Sequence, residues 1–347
     1  MKFIIFLYAL KHKHIGCMYL SMCHKAQALH IVFIWESDEM NIIDRNFYAL
    51  ADEIRSLSEK EIYYRIRKCY DNVPRETKIN CMNFFNQFGY WGYLDIDNGN
   101  YEQIELKEKA LYEHMEDFIW IYERLCDYRS KKTLYSILNN WYRYDFSTTA
   151  ETREYLFDDY FDLDIVKCDE NEVFADLGAY TGDTVLSYIK NYGEDCYKRI
   201  YCYEITPDTF EILKNNLNKY KNIEFRQKGI GDREDTMFIQ NNSVSSSANT
   251  LSGTDGIGVP VTTLDMDITE PLTMIKADIE GFEQKAIKGA REHIINDHPK
   301  LLISVYHNNE DIWKIPQMIY ELSKDYRFYL RYRSLPIYPT EITLFAL

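Results

Sequence analysis

Apolar positions along this chain follow two different rhythms. In the first half they recur every three or four residues. Phe47, Leu50, Ile54 and Leu57 share one helical face, and Leu111, Met115, Phe118, Tyr122 and Leu125 share another, with Glu, Lys and Asp between them. The stretch "DIDNGN" (95–100), dense in turn formers, marks a loop between these segments. The spacing predicts a helical region over about 41–160, without a repeat of fixed period and without a catalytic motif. Tyrosine is unusually frequent there, and tyrosines at helical spacing fill cores and interfaces. Self-association, if the chain oligomerises, is expected through these helices.

After about Tyr160 the rhythm changes to short apolar runs separated by amphipathic helices. The runs are "EVFADL" (172–177), "RIYCYE" (199–204), "NIEFRQK" (222–228), "LTMIKAD" (272–278), "KLLISVY" (300–306), "YRFYLRY" (326–332) and "EITLFAL" (341–347). Val185, Ile189 and Tyr192 line one helix face that stops at Gly193, a glycine placed to close a helix. Thr206-Pro207 supplies an N-cap and a proline at the first helical position, ahead of Phe210, Leu213, Leu217 and Tyr220. Phe282, Ala286, Ala290 and Ile294 predict a further helix. Such alternation argues for a parallel, doubly wound sheet with helices on both faces. The last two runs lack a helix between them, which predicts one antiparallel strand near an edge. Ligands of these sheets bind beyond the carboxyl ends of the strands, so Asp176, Glu204, Asp278, Tyr306 and His307 are the residues to question.

Composition narrows the function. At 347 residues the chain is long enough for about two domains, and 46% hydrophobic content supports a full core. A net charge of −15 repels phosphate backbones and argues against nonspecific nucleic-acid binding. Eight cysteines without a C-x-x-C pair suit a reducing, cytoplasmic setting rather than a disulfide framework or zinc ribbon. No apolar run approaches bilayer length, so no stable membrane insertion is expected. Residues 1–40 read as a leader: "FIIFLYAL" faintly resembles a signal core but runs at once into "KHKH". His12, His14, Cys17, Cys23, His24 and His30 match no compact zinc spacing, and Met40 is a candidate initiator.

The first strand-loop-helix, "FADLGAYTGDT", places Gly178 and Gly182 in the turn, where glycine lets backbone approach a ligand. Glu204 ends the next strand about 20 residues on, the place of the acid that holds ribose hydroxyls in dinucleotide folds. A carboxylate at Asp176, just before the glycines, would repel the pyrophosphate of NAD. It would attract the α-ammonium and sulfonium of S-adenosyl-L-methionine. The full G-x-G-x-x-G and the P-loop pattern are both missing. Asp176 as a plain strand-end cap is the alternative. In "GIGDRED", Asp232 could accept from an adenine amino group or could simply belong to a turn.

Together these residues resemble the FkbM-type family of S-adenosylmethionine-dependent methyltransferases. "VFADLGAYTGDT", "CYEITPD", "KADIEGFE", "ISVYHNNEDIWKIP" and the closing "EITLFAL" carry the resemblance, over roughly residues 160–347. It implies an α/β fold: a seven-stranded, Rossmann-like class I methyltransferase sheet, mostly parallel with one antiparallel strand, preceded here by a helical N-terminal region. The expected division is a leader over 1–40, helices over 41–160 and the methyltransferase domain over 161–347. By the same resemblance Asp176, Gly178 and Gly182 hold the methionine end of the cofactor, Glu204 its ribose and Asp232 its adenine; Tyr180 and Asp278 are further candidates for cofactor binding. Tyr180 departs from the common class I pattern by standing where a central glycine is usual. Members of the family chiefly methylate hydroxyl oxygens, often on sugars or polyketide products, so a small-molecule or glycan acceptor is implied.

Transfer to a hydroxyl benefits from a base, and His307, Asp278 and Glu280 are the candidates at this sheet edge; an ordinary imidazole near pKa ~6.5 accepts a proton at neutral pH. Glu280 also reads as a helix-start acid, favourable by ~0.3–1 kcal/mol against the helix dipole. Two carboxylates can bind Mg²⁺, but no third ligand is apparent in the sequence, and no metal is expected. Tyr180 and Tyr306 could face a sulfonium or could simply pack. The polar run 241–258 reads as a substrate lid or as disorder. Two rivals stand beside the enzyme reading: a binding or assembly protein on a methyltransferase-like scaffold, and an NAD-linked oxidoreductase.

Overall fold

A computed structural model describes residues 17–21, 30–34, 40–157, 160–240, 249–252 and 256–347. The chain divides into two compact units, 1–46 and 47–347. Within the first, β1 (Cys17–Ser21) and β2 (His30–Ile34) form an antiparallel hairpin. The side chains weighed above as a zinc set, and the rest of the proposed leader, lie outside the described residues, as do 241–248 and 253–255 of the polar run.

The second unit opens with helices, as the spacing requires. These are α1 (Ile42–Arg55, which begins in the first unit), α2 (Glu59–Asp71), α3 (Arg75–Phe88), α4 (Glu102–Arg124), α5 (Tyr128–Arg143) and α6 (Phe146–Thr152). "DIDNGN" closes on itself between α3 and α4, where Asp95 and Asn100 exchange backbone hydrogen bonds of 2.8 and 2.9 Å. Among the described residues, no helix is long and apolar enough to cross a membrane.

All seven predicted runs form strands of one sheet: β3 (Val173–Leu177), β4 (Arg199–Tyr203), β5 (Ile223–Arg226), β10 (Met274–Ala277), β11 (Lys300–Ser304), β12 (Phe328–Tyr332) and β13 (Ile342–Ala346). Their order is β12-β13-β11-β10-β3-β4-β5, parallel from β11 to β5. Strand β13 runs antiparallel between β11 and β12, so the expected antiparallel strand sits one place in from the edge. Helices α7 (Asp183–Tyr192), α8 (Pro207–Leu217), α9 (Leu264–Asp267), α10 (Glu283–Gly289), α11 (Arg291–Asn296) and α12 (Asp311–Leu322) provide the connections. The predicted helix through Phe282 and Ile294 is broken at Ala290 into α10 and α11. A second sheet, ordered β6-β9-β7-β8, joins β6 (Gly229–Ile230), β7 (Asp235–Gln240), β8 (Thr250–Ser252) and β9 (Gly258–Thr262).

Alternation along each strand sends side chains to two cores. Phe174, Ile200, Cys202, Met274, Leu302 and Phe345 face α7 and α8. Val173, Ala175, Tyr201, Ile275, Ile303 and Leu344 face α10 to α12 and, beyond them, the N-terminal helices, which share one continuous core with this sheet face. Trp313 of α12 meets Phe118 of α4 edge to face at 4.9 Å, and Phe118 meets Trp141 of α5 at 6.0 Å. A buried ion network adds to this: Arg331 of β12 donates to Asp162 (2.6 Å) and to Asp127 (2.8 Å), the N-cap of α5.

One buried charge in the helices lacks such support. Lys107 of α4 is 1% exposed, and its ammonium lies 4.8 Å from the Tyr144 ring centre and 5.7 Å from those of Phe85 and Trp91. Burial lowers its pKa from 10.5 to about 8. The unfolded chain therefore binds more protons than the folded one between those values, and stability should rise as pH climbs from about 8 towards 10.5. The shift is worth about 3 kcal/mol at neutral pH, offset by roughly 1 kcal/mol of cation–π attraction. Lys107→Met is expected to gain about 2 kcal/mol at pH 7 in urea unfolding and to remove that alkaline rise. A variant less stable than the parent, or one retaining the rise, would contradict this account.

Candidate active site

The carboxyl ends of β3, β4 and β10 open onto a cleft, the place where ligands bind in sheets of this kind. Gly178 and Tyr180, from the turn after β3, line it. Three positions in that turn hold positive φ: Gly178 (77°), Tyr180 (45°) and Gly182 (87°). Tyr180 thus keeps the left-handed backbone of the glycine it replaces and adds a phenol to the cleft wall. Gly178 has no room for a side chain, since a Cβ there would run into the Asp278 carbonyl oxygen. Its N–H and that of Ala179 both donate to the Tyr203 carbonyl (3.0 and 2.8 Å). Gly182, read above as a cofactor contact, instead packs against α8, where a Cβ would lie 2.9 Å from Leu217.

The strand-end acids have separate fates. Glu204 lines the cleft, 8% exposed, and accepts a 2.7 Å hydrogen bond from the Thr206 N–H. Burial raises its pKa, against the hydrogen bonds from Thr206, Ile205 and Tyr180. Asp176 does not reach the cleft. Register places it beside Lys276 on the neighbouring strand, fully buried, with the ammonium 3.1 Å from its Oδ1. Lys276 also donates to the Gly178 carbonyl at 2.7 Å, so Asp176 acts on the glycine turn through that lysine rather than by touching a ligand. Although burial opposes it, the neighbouring Asp176 and Asp278 raise the Lys276 pKa, and the ammonium is kept. Asp232 is likewise outside the cleft. The chain turns away after β6 and leaves it in a separate hollow with Arg233 and Lys285. Lys228, Gly229 and Ile230 line the cleft in its stead.

Asp278 and Glu280 line the cleft, and His307 converges on them from the loop after β11. Asp278 Oδ2 accepts from the Tyr160 hydroxyl at 2.5 Å, while Oδ1 lies 3.4 Å from both the Tyr306 hydroxyl and His307 Nε2. Burial pushes Asp278 up, but His307, Lys276 and Tyr160 outweigh it and hold the carboxyl below its ordinary range. His307 is 5% exposed, with Nε2 3.5 Å from Glu280 and Nδ1 3.0 Å from Glu283. Burial disfavours its cationic form, yet Glu283 and Glu280 raise the imidazole well above its ordinary value. This corrects the expectation of an ordinary imidazole free to accept a proton: at neutral pH His307 already carries it, and Asp278 is the ionised acceptor. Glu280 is corrected too. Helix α10 begins only at Glu283, and Glu280 precedes it with φ of 54°, so a helix-start charge does not account for it. His307 joins these two carboxylates as a third potential metal ligand.

Residues 176–333 match the family model described as the methyltransferase FkbM domain. This segment belongs to the FkbM methyltransferase family. Among solved structures, the methyltransferase FkbM from Methylobacillus flagellatus KT is 24% identical, with a TM-score of 0.57, over 69% of this chain and 60% of that one. That likeness concerns the fold, and the chain spans 60% of that protein's length. An rRNA methylase from Streptococcus thermophilus is 13% identical (TM-score 0.33, 52% of this chain, 87% of that one). Aeropyrum pernix fibrillarin, with natively bound S-adenosyl-L-methionine, is 14% identical (TM-score 0.33, 52% and 67%). No curated protein matches the chain.

Several groups in the FkbM domain's site were not among the candidates read from the sequence. Tyr90, in the loop after α3, donates to Glu280 at 3.1 Å, and the neighbouring Trp91 indole donates to the Tyr306 carbonyl at 2.8 Å. Tyr160 enters from the segment before β3 and contacts both Asp278 and Ser304. Glu283 sits at the foot of α10, fully buried, accepting the Ile279 N–H at 2.8 Å. The described part of the polar run also reaches the cleft: Asn249, Thr250 and Leu251 line it, and Thr250 donates to the Glu280 carbonyl at 3.1 Å. Of these, Glu283 carried a visible signal, as the last acid of "KADIEGFE", and Asn249 to Leu251 lie in the polar run read above.

Proposed function

We propose that the protein is an S-adenosylmethionine-dependent methyltransferase acting on a hydroxyl oxygen of a sugar, glycan or related metabolite. The observation that carries this is the convergence, on one cleft, of the glycine turn, the ribose-height acid Glu204 and the ionised Asp278. The residues suit the cofactor: Glu204 presents a buried carboxylate to ribose hydroxyls, and the acids of the cleft favour an ammonium and a sulfonium. Gly178, Tyr180 and Glu204 would hold it, with Lys228 to Ile230 beside its base.

The bound cofactor supplies a methyl on positively charged sulfur, whose C–S electron pair stays with sulfur as the O–C bond forms. The chain then has to position the hydroxyl in line and receive its proton. Asp278 does both, accepting the acceptor's O–H while Tyr160 fixes its other oxygen. Behind the cleft wall the Tyr160 and Tyr306 hydroxyls donate to Asp278 and the Tyr90 hydroxyl to Glu280, which holds these carboxylates in place.

Calorimetric titration with S-adenosylmethionine and S-adenosylhomocysteine tests the cofactor half. Binding in the micromolar range is expected, weakened by about tenfold or more in Gly178→Ala, whose new Cβ would force the turn off Asp278. Heat with NAD and none with either sulfur compound would replace this reading with the oxidoreductase. Silence with all three at roughly millimolar ligand would favour a binding scaffold. Labelled cofactor offered to a panel of glycans then identifies the acceptor.

A further inference from the structure

The group of side chains around Asp278 is built for more than a proton. Asp278 Oδ1 and Glu280 Oε2 lie 3.4 and 3.5 Å from His307 Nε2, and one ligand atom from each residue falls within 4.8 Å of the others. Acids that happen to be neighbours would not by themselves make a site. The imidazole is the independent observation: it is 95% removed from solvent, and neither ring nitrogen has an aligned hydrogen-bond partner. Its Nε2 points between two carboxylates, and its Nδ1 faces a third, Glu283, at 3.0 Å.

This is the carboxylate–histidine arrangement in which an outer acid holds the Nδ1 proton and leaves Nε2 to bind a cation once that cation displaces the Nε2 proton. Asp278 follows the same plan, with Tyr160 holding Oδ2 and leaving Oδ1 facing inward, while the Tyr90 hydroxyl donates to Glu280 Oε2 itself. Distances agree as well. Nitrogen and oxygen ligands about 2.0–2.1 Å from a tetrahedral ion stand roughly 3.4 Å apart, which matches two of the three edges.

We propose that Asp278, Glu280 and His307 hold a first-row divalent cation of the Mn²⁺ or Zn²⁺ type on the acceptor side of the cleft. One imidazole with two carboxylates suits these ions, whereas Ca²⁺ and Mg²⁺ take oxygen ligands. Its place at the cleft wall gives the ion open positions for an acceptor oxygen, which it would hold facing the methyl donor while the second lone pair of the ligating Asp278 Oδ1 receives the proton. That role rests on the methyltransferase reading; the existence of the site does not.

The test uses the full chain, stripped with chelator and titrated with Mn²⁺ and with Zn²⁺ by calorimetry. One site per chain with micromolar affinity is expected. Glu283→Gln should weaken it by about 10- to 100-fold through the freed imidazole, and His307→Ala by at least that much, while Asp232→Asn leaves it unchanged. Pulsed electron paramagnetic resonance of the Mn²⁺ form should show coupling to one imidazole nitrogen, a readout that does not depend on any variant folding. Wild-type protein without a site tighter than about millimolar, or Mn²⁺ without nitrogen coupling, would overturn the inference. Cofactor titrations run on the stripped protein separate the two ideas. Metal without cofactor binding keeps the site and removes the methyltransferase, and the reverse result removes the site alone.

Discussion

Replacing Asp278 with asparagine is expected to lower methyl transfer by about 10²- to 10⁴-fold while S-adenosylmethionine affinity changes by less than roughly tenfold. The substitution keeps the shape of the side chain and a partner for the Tyr160 hydroxyl, and removes only the charge. That charge matters because of where it is held. Asp278 closes β10, its N–H donates to the Leu177 carbonyl at 3.1 Å, and Tyr160 fixes one carboxylate oxygen. The other oxygen faces the cleft beside Tyr306 and His307. Burial alone would neutralise it, but His307 and Lys276 keep it ionised. An amide in that position can neither receive a proton nor balance a cation. Single-turnover rates beside calorimetry separate the outcomes. An equal loss of affinity and rate would make Asp278 a cofactor ligand instead, and unchanged turnover would take it out of the chemistry.

Lys276→Met should destabilise the protein by about 3–5 kcal/mol, because it leaves Asp176 as a buried charge without its counter-ion. Both side chains are nearly inaccessible, and Asp176 lies between Lys276 on β10 and Cys202 on β4. Burial already pushes Asp176 up to about 6, with Lys276 the main group pulling it back. The double variant Asp176→Leu with Lys276→Met removes both charges and should recover most of the loss, since an apolar pair of similar volume is often neutral. Urea unfolding of the four proteins closes the cycle. A single-variant loss below about 1 kcal/mol would mean that the pair is not coupled as drawn. Cofactor affinity should fall in Lys276→Met as well, because the Gly178 carbonyl loses its donor.

Much of the sheet could be read from the chain, because buried parallel strands leave continuous apolar runs and their helices leave periodic ones. The seven runs, the antiparallel β13, the proline start of α8 and the glycine end of α7 all follow from local rules. The second sheet left little trace along the chain, since β6 and β8 are two and three residues long. Asp232 shows the limit at the site. Its distance along the chain was right for an adenine contact, but one turn after Ile230 carries it into another hollow. His307 shows a different limit, because its protonation depends on Glu283 and Glu280, which only folding brings to it. Tyr90 and Tyr160 had no motif at all, and they reach the site through packing between segments far apart in sequence.

By itself the sequence determined the alternation of strands and helices, the strand ends where ligands gather, and the glycine-rich turn after the first strand. These depend on the periodicity of side chains along a backbone, which any short window reveals. Only the tertiary structure decided which acid pairs with a lysine, which histidine is charged, and which carboxylates gather around it. Those properties are set by burial and by distances of a few ångströms between residues remote in the chain. Asp176 and Asp278 end neighbouring strands in the same apolar grammar. Register turns one inward to Lys276 and leaves the other open to the cleft.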